Sequence, residues 1–310
     1  MSIPKPNLFL IGAPKCGTTS LAWYLSEHPA VFFCDPKEPF YFNTDYPELR
    51  RKEHLETDEA YLQLFAAARP EHAVIAEGST TYLSSAEAIA NALAFSPEAR
   101  FIAMVRNPVD AVYSFHGELV FTSNEDVRDF EQAWRLQAER AAGRSLPELC
   151  RNPAWLQYRQ MGALGSQLQR FYDQVPAAQR MTIVFDEYAA DTPGYYRRVL
   201  EFLGLPDDGR IEFPRLKASR RHRLEFVHRF LRMPPRAIEA PVIRLRRWIG
   251  RQRTGPIAAV KNVFMPPHKR AALTPEFAAE LRREFADEVA LLSELLGRDL
   301  SDWNTGGQAA

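Results

Sequence analysis

Residues 7–21, Asn-Leu-Phe-Leu-Ile-Gly-Ala-Pro-Lys-Cys-Gly-Thr-Thr-Ser-Leu, constrain the fold of this chain more than any other stretch. Leu8 to Ile11 is a short apolar run, the mark of a strand buried on both faces of a parallel sheet. Gly12, Pro14 and Gly17 break the run, and Thr18, Thr19 and Ser20 open a helical pattern. Strand, glycine turn and helix start in succession make an anion site. The turn and the first helical residues aim unpaired N–H donors at one spot, and the helix dipole favours negative charge there. Gly12 and Gly17 keep the glycine spacing of the G-x-x-x-x-G-K-[ST] pattern. Thr18 stands where that pattern has lysine, however, and the only lysine in the loop is Lys15. In nucleoside triphosphate enzymes the lysine after the second glycine reaches the β/γ-phosphates and the next hydroxyl holds Mg²⁺. A lysine set back inside the loop suits the 5′ end of a shorter, diphosphate-like donor instead.

Composition sets the bounds. The chain has 310 residues, 46% hydrophobic and 25% charged, which reads as one globular domain over 1–310. No run approaches the ~20 apolar residues that span a bilayer. Met1 to Pro6 passes straight into the first strand, so no leader is expected. Cys16, Cys34 and Cys150 are too few and too scattered for a disulfide framework or a zinc site, and a cytoplasmic location is expected. The formal net charge is zero, yet Arg215 to Arg270 holds sixteen Lys and Arg against Glu225 and Glu239, a local balance of +14. That segment, 215–270, reads as a basic helical insertion before the C-terminal helix, suited to a polyanion or a membrane surface.

Along the chain, apolar strands are expected at Leu8–Ile11, Ala73–Ala76, Phe101–Val105 and Thr182–Phe185. Helical patterns lie near Thr18–Glu27, Asp58–Ala67, Ser85–Ala94, Pro108–Leu119, Phe130–Ala142, Trp155–Tyr172, Tyr195–Leu203 and Pro275–Leu296. Alternating strands and helices predict an α/β fold, an open parallel sheet flanked by helices, with its ligand crevice at the carboxyl ends of the strands. A second anchor lies at one such end. Arg106 follows a buried strand, and Ser114 lies two helical turns further on. An arginine fork and a hydroxyl can hold a phosphate dianion; equally, Arg106 can pair with Asp110.

Two motifs carry a resemblance to a known family. Pro14 to Leu21 resembles the 5′-phosphosulfate loop of sulfotransferases that use 3′-phosphoadenosine 5′-phosphosulfate (PAPS). Arg106 to Ser114 resembles their 3′-phosphate motif, an R-[DN]-P start followed eight positions later by serine. The resemblance implies a P-loop NTPase-like sulfotransferase fold and PAPS as donor, with 3′-phosphoadenosine 5′-phosphate (PAP) as product. It places Lys15, Cys16, Gly17, Thr18, Thr19 and Ser20 around the 5′-phosphosulfate, and Arg106 and Ser114 on the 3′-phosphate. It further assigns Arg220 and Arg221 to a basic loop closing over the nucleotide. No metal is required, because a sulfuryl group carries less charge than a phosphoryl group.

Sulfuryl transfer needs an aligned acceptor, a base for its proton and a cation for charge growing on the leaving oxygen. Lys15 is the candidate cation. Glu38 is the candidate base, because Glu38-Pro39-Phe40-Tyr41-Phe42 is similar to the E-x-x-F-F loop of glycan sulfotransferases. His116 is a rival base, although its spacing from Ser114 turns it to another helix face. Glu77, at a strand end, can orient Lys15 or the acceptor, or cap the following turn. Phe40 and Gly78 stand where heparan-type enzymes usually carry histidine and lysine, which weakens a heparan-like acceptor. The expected partner is a glycan, lipid or small-molecule acceptor, not a nucleic acid. A small-molecule kinase and a non-catalytic nucleotide- or glycan-binding protein remain the alternatives.

Overall fold

The computed structural model describes residues 3–52, 55–214 and 271–305. Five parallel strands form one sheet: β1 (Leu8–Gly12), β2 (Val31–Phe33), β3 (Val74–Glu77), β4 (Arg100–Val105) and β5 (Arg180–Val184), in the order β2-β3-β1-β4-β5. The sequence predicts four of them. The fifth, β2, is a three-residue edge strand whose Phe32 and Phe33 are only half-buried, so it lacks the continuous apolar signature of a central strand. After β1 the chain goes out to the edge strand β2 and returns to β3 beside β1, then crosses to β4 and β5 on the other flank. Its direction therefore reverses beside β1 and β4, and such a switch point opens a crevice at the strand ends.

Helices cover the sheet. In chain order they are α1 (Thr18–Ser26), α2 (Pro47–Lys52), α3 (Asp58–Leu62), α4 (Ala88–Phe95), α5 (Pro108–Phe121), α6 (Phe130–Arg135) and α7 (Gln137–Ala141). Next come α8 (Tyr158–Gly162), α9 (Leu164–Gln174), α10 (Phe185–Ala190), α11 (Thr192–Leu203), α12 (Pro275–Glu284), α13 (Ala286–Leu296) and α14 (Asp302–Thr305). The long helices expected over 130–142, 155–172 and 275–296 are each divided in the fold. Phe285, between α12 and α13, is buried in an apolar layer with Trp134 and Phe277 and packs against the Cα of Gly162. Packing there decides the break, since nothing in the local composition does. Among the described residues no helix is long and apolar enough to cross a membrane. The basic segment 215–270, including Arg220 and Arg221, lies outside the described residues.

The core sits on both faces of the sheet. Leu8 to Ile11 and Phe101 to Val105 are fully buried, as a two-sided parallel strand requires. A second apolar layer joins α5, α6, α8 and α12 through Phe115, Phe130, Trp134, Tyr158 and Phe277. Inside it Arg140 and Glu125, both with no exposed side chain, make a two-pronged pair at 2.6 and 2.7 Å, and Tyr158 donates to the same carboxylate at 2.7 Å. α5 is thus gripped from behind, which fixes the face it turns to the strand ends.

Candidate active site

The loop after β1 is shaped by two glycines that admit no side chain. Gly12 has φ +139°, and a Cβ there would lie 2.4 Å from the Thr80 carbonyl oxygen; Gly17 has φ +94°, and its Cβ would strike the Phe185 ring at 2.9 Å. Lys15 itself takes the left-handed region at φ +66°, unusual for a residue with a side chain. Ala13 N–H donates to the Met104 carbonyl at 2.7 Å, tying the loop to β4. Among the described residues the N–H groups of Lys15, Gly17, Thr18 and Thr19 find no acceptor. Four free donors at the N-terminus of α1 form an anion nest. Ser20 Oγ donates back to Gly17 O at 2.8 Å. Cys16 turns its thiol into the core, where burial pushes its pKa up to about 12 against the pull of Arg106 and Lys15. Its N–H donates to Ala13 O at 3.3 Å, so of the loop residues Cys16 offers the least to a ligand.

Register carries Arg106 to the same place. Val105 pairs with Val184, so the next residues, Arg106 and Phe185, leave neighbouring strands together. The Arg106 guanidinium lies 4.9 Å from the centre of the Phe185 ring. That ring is the same one that crowds Gly17. One aromatic side chain therefore touches both the glycine loop and the arginine. Arg106 also pairs with Asp110 at 3.2 Å, so the partner foreseen as its alternative is present as well. Its Nε is buried with no hydrogen-bond partner among the described residues. Ser114 is half-buried on α5, two turns beyond. Asp186 stands near Arg106. Burial raises its pKa, with Arg106 pulling the other way, and Trp303 of α14 hydrogen-bonds to it.

Glu38 lies on the loop after β2, and that loop is pinned to the loop after β3. Gly78 N–H donates to Lys37 O at 3.0 Å, Phe40 N–H to Ser79 Oγ at 3.0 Å and Phe42 N–H to the Tyr82 hydroxyl at 3.1 Å. The Glu38 carboxylate accepts from Lys37 at 3.1 Å and from Thr80 Oγ1 at 3.3 Å. Thr80 is also the residue whose carbonyl covers Gly12, which brings the Glu38 loop against the start of the glycine loop. Lys37 crosses Gly78, donating to its carbonyl at 3.2 Å; a Cβ on Gly78 would lie 3.1 Å from Phe33 and 3.4 Å from Lys37 Cε. Lys37 therefore passes beside the position where heparan-type enzymes carry a lysine.

A model of the family described as "Sulfotransferase family" matches residues 6–209, well over half of the chain. The chain belongs to the sulfotransferase family. Its sheet and flanking helices are the sulfotransferase fold: a sulfotransferase from Alicyclobacillus acidocaldarius superposes with a TM-score of 0.71 at 25% identity, covering 97% of this chain and 99% of that one. Carbohydrate sulfotransferase 15 of Rattus norvegicus is 30% identical over 166 residues, covering 41% of this chain and 29% of that protein. Heparan sulfate glucosamine 3-O-sulfotransferase 3A1 of Mus musculus is 26% identical over 200 residues, covering 64% of this chain and 46% of that protein. The chain spans less than half the length of these curated relatives.

Within this sulfotransferase chain three residues depart from what the sequence suggests or were missed by it. Glu77 does not meet Lys15. It is fully buried and accepts from the Tyr61 hydroxyl at 3.2 Å, and burial raises its pKa to about 8, with Tyr82, Tyr61 and Lys37 pulling it partly back. Glu118 is the carboxylate that does meet Lys15, at 3.2 Å. Its only sequence signal is its place four residues after Ser114, on the same helix face. Phe185 reads as the end of a strand but opens α10. His116 is buried with Nε2 2.9 Å from Val127 O, a packing role.

Proposed function

We propose that this chain moves a sulfuryl group from PAPS to a hydroxyl or amine of a glycan, lipid or small metabolite. The observation that supports the reading is the Phe185 ring, wedged between Gly17 and Arg106, which sets the exits of β1 and β4 side by side. The groups at the two exits fit a compound with anions at both of its ends. Four N–H donors with no acceptor among the described residues, and an ammonium, stand at one end. At the other stands an arginine whose buried Nε has no partner among the described residues.

PAPS supplies the activated sulfuryl group. The N–H groups of Lys15, Gly17, Thr18 and Thr19 hold its 5′ end, with Ser20 beside them, and Lys15 offsets charge on the leaving oxygen. Arg106 and Ser114 hold the 3′-phosphate. Glu38 takes the acceptor's proton; Thr80 and Lys37 fix its carboxylate, so little ordering is left for the reaction itself. The names of the relatives favour a carbohydrate acceptor. Phe40, buried against Trp155, and Gly78, crossed by Lys37, make the acceptor side of this chain unlike a heparan-type site.

The test is transfer of label from radioactive PAPS to a panel of glycan, lipid and small-molecule acceptors, with and without a chelator. Chelator-resistant labelling of one class supports the reading. Mg²⁺-dependent ATP turnover in its place would make the chain a kinase, and PAP binding without transfer to any acceptor would make it a binding protein.

A further inference from the structure

Both cations of the crevice lean on the same helix. On α5, Asp110, Ser114 and Glu118 recur every fourth residue and share one face. Asp110 pairs with Arg106 and Glu118 pairs with Lys15, each at 3.2 Å, with Ser114 between them. The two members of the second pair differ in freedom. Lys15 is held by a left-handed backbone and its side chain is only 15% exposed, whereas Glu118 is 37% exposed. The carboxylate can therefore swing into water while the ammonium stays over the glycine loop. The α5 face is fixed from behind by Phe115, Leu119 and the layer around Trp134.

We propose that Glu118 is a positioning residue for Lys15: its carboxylate holds the ammonium over the crevice and yields it to the anionic 5′ end of the nucleotide. This rests on the PAPS reading above. Glu118 and the nucleotide then compete for one ammonium, so the glutamate sets donor affinity by opposing it. Competition of this kind makes product release easier, because the carboxylate recovers Lys15 as the anion leaves. A purely structural contact between loop and helix makes the opposite forecast, since losing it loosens the loop and weakens binding.

The probe is PAP, titrated calorimetrically into the parent chain, Glu118→Gln, Lys15→Ala and the double variant, with a melting curve for each. Glu118→Gln is expected to bind PAP about two- to five-fold more tightly than the parent, the scale of a partly exposed ion pair. In the Lys15→Ala background the same substitution leaves affinity unchanged. Should Glu118→Gln fail to fold, Glu118→Ala is expected to show the same tightening and decides in its place. Unchanged or weaker binding overturns the proposal, as does equal tightening in both backgrounds, which would be charge repulsion without Lys15. Failure of the parent to bind PAP would sink the PAPS reading and this inference together, whereas PAP binding without tightening sinks the inference alone.

Discussion

Lys15–Glu118 and Arg140–Glu125 are both pairs of a cation with a glutamate, and both involve residues on or against α5 and its neighbours. They differ in burial and in how fully each group is satisfied. Arg140 and Glu125 have no exposed side-chain surface, meet through two bonds and gain a third from Tyr158. Burial pushes the Glu125 carboxyl up, but its bonds from Arg140 and Tyr158 outweigh that and hold it below the usual range. Lys15 and Glu118 share one bond at the lip of a crevice, beside unpaired N–H groups. A closed, saturated pair resists exchange and serves the fold. An open, singly bonded pair can give its cation to an incoming anion.

Substitutions can break or sharpen that contrast. The largest effect is expected for Lys15→Ala: kcat for sulfuryl transfer falls about 10²–10³-fold, the scale of losing one preorganised charge at the reacting centre, while the melting temperature is unchanged. Glu38→Gln is expected to lower kcat about 10²-fold with PAP affinity intact; full activity across the pH range would remove Glu38 as the base. Arg140→Met should invert the pattern. It strands Glu125 in the core and costs about 3–5 kcal/mol of stability in denaturant titration, while the protein that remains folded keeps its PAP affinity. A Lys15→Ala protein that melts early, or an Arg140→Met protein of parental stability, would erase the distinction between the two pairs.

A further effect, read against pH, concerns Glu77. Its pKa is about 8 in the fold against 4.5 ordinarily, because burial disfavours its charge. Below the ordinary value both folded and unfolded chains hold the proton, and the fold bears no penalty. Between the two values the unfolded chain has released a proton that the folded chain keeps. Stability therefore falls as pH rises, by at most about 1.4 kcal/mol per unit, and levels off above the folded value. Urea titrations from pH 4.5 to 8 should show this decline in the parent and a flatter profile in Glu77→Gln.

Much of the candidate site is legible in the sequence because it rides on strand-to-helix junctions, where local rules act. The glycine loop, Lys15, Arg106 and Ser114 all follow from apolar runs that end in glycine or in Asn107-Pro108. What the sequence hides is what only long-range packing creates. Lys15 and Glu118 are 103 residues apart, and no spacing rule links them. Phe185 looks like one more strand residue until register sets it beside Arg106. Edge strand β2 is too short and too exposed to announce itself, and helix breaks such as Phe285 answer to the layer they enter. Glu77 reads as a crevice residue at a strand end, but it turns to Tyr61 in the interior.

On the reading proposed above, Lys15 and Arg106 clasp opposite ends of one adenosine compound phosphorylated at both 3′ and 5′ positions. The most direct measurement is calorimetric titration of PAP and of adenosine 5′-phosphate into the parent chain and into Arg106→Ala. The parent is expected to bind PAP roughly 10- to 100-fold more tightly, the worth of a charge-assisted contact of about 1.5–3 kcal/mol, and Arg106→Ala to lose this preference and nothing else. A preference that survives in Arg106→Ala would put the 3′-phosphate elsewhere and contradict the account.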